Sequence, residues 1–173
     1  MGRFAGRGAG HSGGPPAVDR YKLFKRAVEE RGRLVASLEG LSLEDLTTPG
    51  VTRDYWSIKD IVAHISAWQE EGLAALRAML AGQKWDVKYD IDYWIQQKYN
   101  ERKDRNWEQV WEGWHLSHRQ MCDLLLGIPD ERLGSEEVIG WIAQTTYDHY
   151  LEHCEQVLAW RLKRRPPVAI GEG

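Results

Sequence analysis

Two histidines, His149 and His153, stand four residues apart in the stretch TTYDHYLEHCEQVLAW. On a helix that spacing stacks their imidazoles on one face, about 40° apart in azimuth and about 6 Å apart in rise, close enough to bind one metal ion. The H-x-x-x-H spacing alone carries little, because any helix-rich chain meets it by chance. A third histidine, His64, lies between Ile61 and Trp68 on the apolar face of WSIKDIVAHISAWQEE. Inward residues from two helices of a bundle can converge on one centre, and three imidazoles leave coordination positions open for water or substrate, as a catalytic site requires. The competing reading for His64 is a buried neutral imidazole whose nitrogens bond neighbouring side chains.

Three further histidines complete the set of six. His118 falls on an apolar stripe, as a satisfied core residue, a supporting partner of the site or a substitute ligand. His115 is expected to face away from that stripe, and His11 has no ordered neighbours to work with. Other chemistries find less support. No Gly-rich phosphate loop, Cys cluster or nucleophile elbow is present, and no Ser or Asp is paired with a histidine in sequence context. Glu70 and Glu71 offer a base but read as solvated carboxylates, while Tyr147 and Tyr150 offer hydrogen bonds but read as packing residues.

The elements that must position these residues are helical. Tyr21, Phe24, Val28, Leu34, Val35 and Leu38 form the stripe of a first helix over about Val18 to Leu38, stopped near Gly40. The stretch LSLEDLTTPGVTRDY contains a Pro-Gly pair and reads as a loop. Ser57 with Asp60 caps a second helix, in which Ile58, Ile61, Ile65, Trp68 and Leu76 recur at three- and four-residue steps until Gly82. A short helix is expected around Ile91 to Glu101. A third long helix runs from Trp107 to Leu126, carrying Trp107, Trp111, Trp114, His118, Met121 and Leu125 on one face. Ser135 starts a fourth, which continues through Ile142, Thr146, Tyr150, Val157 and Trp160 and ends before Pro166 and Pro167. Nothing has the period of a strand, so the fold class is all-α: a four-helix bundle with a short extra helix between helices two and three. Residues 17–165 form the bundle domain, between a Gly-, Arg- and Pro-rich tail at 1–16 expected to be disordered and a C-terminal tail at 166–173.

Composition narrows the function. In 173 residues, 42% are hydrophobic and 28% charged, enough for one domain with a single core. With a net charge of -3 and scattered basic residues, no nucleic-acid partner is expected; the basic run from Arg161 to Arg165 reads as cations complementing a helix C-terminus. No run of about 18 apolar residues exists and the start lacks a signal-peptide core, so no membrane partner and a cytoplasmic location are expected. Cys122 and Cys154 are too few for a disulfide scaffold and read as buried free thiols. Nine tryptophans against two phenylalanines suit a core that holds polar groups or a pocket, since each buried indole N–H needs a partner.

WSIKDIVAHISAWQEE resembles the second-helix signature of the DinB/YfiT-like superfamily: a Trp-Ser start, an A-H-I histidine, then a Trp with acidic residues. TTYDHYLEHCEQVLAW resembles the fourth helix of its ClbS/DfsB branch, and the likeness covers about Val18 to Leu162. The resemblance implies a four-helix bundle, often a homodimer, with a divalent metal ion, Zn or Ni, held by His64, His149 and His153. It also implies a hydrolase or thiol transferase acting on a small electrophilic molecule, with a low-molecular-weight thiol as co-substrate in the transferase case; for the ClbS branch the implied chemistry is hydrolysis of a strained electrophile for self-protection, without a required metal. The rival expectation is a non-enzymatic protein that binds or sequesters a small molecule in a Trp-lined cavity, and a third is a bundle whose histidines are structural and whose role is dimerisation.

Overall fold

The computed structural model describes residues 18–164, so the two expected tails lie outside the described residues. Within that span the chain forms eight helices and no strand. The first, α1 (Arg20–Ser37), is capped by Asp19, whose side chain accepts from the amides of Tyr21 and Lys22. The stretch read as a loop contains one further short helix, α2 (Leu43–Thr47), because Ser42 and Asp45 close a capping box over it. The same device, Ser57 with Asp60, starts α3 (Ile58–Leu80) as expected. Gly40 and Gly82, at φ +75° and +77°, end the two long helices in the left-handed conformation that glycine adopts without a Cβ clash. The short extra helix is α4 (Ile91–Arg102), and the third long helix is α5 (Trp107–Gly127), capped by Asn106.

The fourth long helix is not continuous. After α6 (Asp130–Leu133) it is divided into α7 (Glu136–Thr145) and α8 (Tyr147–Arg164) by Thr146, at φ -129° and ψ -102°. Two adjacent β-branched threonines turn their hydroxyls back onto the helix, Thr145 Oγ1 onto the Trp141 carbonyl and Thr146 Oγ1 onto that of Ile142, both at 2.5 Å. These bonds satisfy carbonyls in place of amide donors and so make the break affordable. Gly72 on α3 makes room for it, since a Cβ there would lie 2.5 Å from Thr145 Cγ2. This close approach brings the start of α8, with His149, against α3.

The helices pack as a ring in which α3 lies between α5 and α7–α8, and α1 between α5 and α8. Two apolar clusters fill it. One contains Leu34, Ile58, Ile61, Ile65, Val110, Trp114 and Val157, the other Leu73, Leu76, Met121, Leu125, Leu133 and Ile142. Between them lie buried polar residues, Ser66, Gln69, Ser117, Thr145 and Thr146. Arg161, expected to complement a helix C-terminus, does so for α1 rather than its own helix, donating to the carbonyls of Ser37 at 2.6 Å and Glu39 at 2.9 Å.

Candidate metal centre

Helix α3 presents His64, and the first two turns of α8 present His149 and His153, with one nitrogen from each ring within 4.8 Å of the other two. Ring centroids are 4.9 Å apart for His64 and His149, 5.5 Å for His64 and His153, and 4.7 Å for His149 and His153. Protonation is disfavoured throughout. Burial and then the charge of His153 push His64 down to about 3, while burial holds His149 and His153 below the ordinary histidine value. All three are therefore neutral imidazoles near neutral pH, the form that ligates a metal.

Hydrogen bonding distinguishes the rings further. Gln156 Oε1 accepts from His153 Nδ1 at 2.8 Å, which places the proton there and leaves the lone pair on Nε2. That Nε2 is buried with no partner, and so is His149 Nδ1. Unpartnered buried ring nitrogens are costly, and a cation among the three rings would satisfy them. The residues present thus fit a divalent ion, with neutral nitrogen donors of the kind Zn²⁺ and Ni²⁺ take.

The other sequence candidates fall elsewhere. His118 Nδ1 lies 2.8 Å from the Tyr150 hydroxyl and its Nε2 3.5 Å from Cys122 Sγ. Ser117 donates to Gln69 Oε1 at 2.7 Å, and Gln69 Nε2 donates to Tyr150, so the tyrosine's own proton is left for His118 Nδ1. His118 is a satisfied core residue, and its pKa falls to about 4, through burial first and then Arg31. His115 does not face away: it bonds Arg31 at 2.9 Å and lies edge-on to Trp111. Glu70 is paired with Arg102 at 2.7 Å, and Glu71 accepts from the Tyr89 hydroxyl at 2.5 Å. Tyr147 lies under the Arg26 guanidinium. Both cysteines are free; Cys154 is buried, whereas Cys122 is half-buried.

Three neighbours escaped sequence reasoning. Gln156, three residues beyond His153 and so on its face, was readable from spacing. Trp56, 5.0 Å from the His64 ring, and Tyr99, parallel to Trp56 at 6.0 Å, were not, because they reach the site from the loop before α3 and from α4. With Ala63, Ile95 and Arg102 they enclose a pocket of about 10 Å³ against His64.

Residues 26–157 match the model of the DinB superfamily, and the chain belongs to that superfamily. Its fold is of the ClbS/DfsB-related kind. Among solved structures it is similar to DfsB, described as a sibling lethal factor precursor, with a TM-score of 0.73 and 15% identity over 86% of this chain and 98% of that one. It is also similar to the colibactin self-resistance protein ClbS in complex with a dsDNA, with a TM-score of 0.69 and 15% identity over 82% and 94% of the two chains. An uncharacterised protein from Escherichia coli UTI89 follows at a TM-score of 0.71 and 14% identity over 83% and 93%. No curated protein matches the chain. No helix among the described residues is long and apolar enough to cross a membrane.

Proposed function

We propose that this protein is a metal-dependent hydrolase of the DinB superfamily acting on a small electrophilic molecule, with His64, His149 and His153 as the ligands of one divalent ion. The observation that carries the reading is the pair of unpartnered, buried nitrogens, His149 Nδ1 and His153 Nε2, in a cluster of three neutral imidazoles. A divalent ion held by three imidazoles lowers the pKa of a coordinated water or thiol and so supplies a nucleophile near neutral pH.

The chain's own groups do the rest. Gln156 fixes the tautomer of His153, the Thr146 break and Gly72 set the position of His149, and Trp56 shields His64 from bulk solvent. The pocket against His64 has about the volume of one water molecule, which favours water as the nucleophile and so hydrolysis over thiol transfer. A small molecule is favoured over dsDNA because two of the three basic groups that line the pocket at His64 are already paired, Lys98 with Glu101 and Arg102 with both Glu101 and Glu70, which leaves Lys103 alone for a phosphate.

Elemental analysis of protein purified without an affinity tag is expected to find close to one divalent ion per chain; no metal, and no uptake of Zn²⁺ or Ni²⁺ on titration, overturns the reading and leaves a small-molecule binder. A Co²⁺-substituted sample separates the two chemistries. Under the hydrolase reading its spectrum stays unchanged on titration with low-molecular-weight thiols, whereas sulfur-to-metal charge-transfer absorption, absent in His64→Ala, would establish the thiol transferase instead.

A further inference from the structure

Trp56, Ile95 and Tyr99 line not only the pocket at His64 but also a larger groove of about 690 Å³, between the loop that precedes α3 and the first turns of α4. Its volume is that of a small-molecule site, typically about 300 to 1,000 Å³. The lining is unusual in two respects. Three aromatic rings contribute to it, Tyr55, Trp56 and Tyr99, and Tyr55 is 75% exposed. The charged groups that line it are both acidic, Asp54 on the loop and Asp92 in the first turn of α4; no Lys or Arg does so, and neither carboxylate is in an ion pair among the described residues.

The loop is held in place. The Gly50 and Val51 amides donate to the Trp56 carbonyl at 3.2 and 2.9 Å, and the Trp56 amide donates to Thr52 Oγ1 at 3.2 Å. Tyr55, at φ +66°, occupies the left-handed region that a bulky residue adopts only when its surroundings impose it. An aromatic side chain is thus kept on the rim of the groove at a conformational cost.

We propose that this groove binds the substrate through a flat, positively charged portion, so that the small molecule acted on is a cationic aromatic or conjugated compound. The π faces of Tyr55, Trp56 and Tyr99 attract a cation through their quadrupoles, and Asp54 and Asp92 add Coulombic attraction that an anion would meet as repulsion. Because Trp56, Ile95 and Tyr99 line both the groove and the pocket at His64, a molecule held in the groove lies next to the three histidines. This assignment deepens the hydrolase reading and rests on it for the word substrate, but binding in the groove does not depend on a metal.

The test uses two acridines of similar shape and opposite charge, proflavine as the cation and acridine-9-carboxylate as the anion, titrated calorimetrically into chelator-treated and Zn²⁺-loaded protein at low salt. Proflavine is expected to bind at one per chain in both forms, roughly tenfold or more tighter than the carboxylate, with added salt weakening proflavine alone. The Asp54→Asn/Asp92→Asn variant is expected to lose roughly tenfold in proflavine affinity and to bring the two acridines together. Both carboxylates are exposed, and circular dichroism checks the fold; should the double variant unfold, Asp54→Asn alone and the salt dependence decide. Equal binding of the two acridines, undiminished proflavine binding in the variant, or no binding of either overturns the proposal. Proflavine binding without metal uptake leaves the groove standing and removes the hydrolase reading.

Discussion

Two polar clusters lie in this bundle, one made of three histidines and one containing His118, and the histidines of both are largely withdrawn from water with depressed pKa values. His64, His149 and His153 converge on one point with nitrogens left unpartnered, whereas His118 has both nitrogens engaged, by Tyr150 and Cys122. Burial is the main cause of the low pKa in each group. Depressed basicity therefore does not separate a candidate metal centre from a core polar network. What separates them is the destination of each lone pair: in the network Ser117, Gln69, Tyr150, His118 and Cys122 follow one another as donor and acceptor, while in the triad the chain of bonds stops at the ring nitrogens.

The sharpest way to break this comparison is to remove one histidine from each group. His153→Ala is expected to weaken metal binding by roughly a hundredfold or more while the protein stays helical, because the apolar stripes still bury the core. His118→Ala is expected to leave metal affinity unchanged. Isothermal titration with Zn²⁺ and circular dichroism check both; equal losses in the two variants would make the distinction void.

A smaller effect, on stability rather than metal, is expected for Tyr150→Phe. Loss of the hydroxyl strands the Gln69 amide and His118 Nδ1 in the core, at a cost of about 2 kcal/mol, since each unpaired buried polar group costs about 1 to 3 kcal/mol. Urea unfolding of the metal-free protein should show the lower midpoint, with metal uptake by the folded variant unaltered.

The smallest effect is a dependence on pH. His118 has a folded pKa of about 4 against an ordinary 6.5, so between those values the unfolded chain binds the proton that the native chain refuses. Stability from this residue is complete above about pH 6.5 and falls as the pH drops toward about 4, below which it is constant. Denaturant midpoints of the metal-free protein measured across that window should slope less steeply in His118→Gln than in the parent. An unchanged slope would show that His118 is protonated in the native state and that its bond to Tyr150 runs the other way.

Much of the scaffold was legible because it is written locally. The capping pair Ser57 and Asp60, the glycine stops at 40 and 82 and the apolar periodicity of α3 and α5 each involve residues within a few positions of one another. The helix break at Thr146 was missed for a converse reason: the apolar spacing runs through it without a gap, and a Thr-Thr pair is tolerated in helices until close packing, here Gly72 against Thr145, selects the broken form. His115 was misplaced because its position depends on Arg31 of α1, far off in sequence.

The sequence by itself determined that this protein is helical, where most helices start and stop, and that His149 and His153 share a face, since hydrogen bonds and side-chain directions within a helix repeat every few residues. Only the tertiary structure decided that His64 joins that pair while His118 does not, that two ring nitrogens of the triad remain unpartnered, and that Trp56 and Tyr99 link the site to an acidic, aromatic groove. Those outcomes depend on how separate helices approach one another, and the approach is set by packing summed over the whole core rather than by any short stretch of chain.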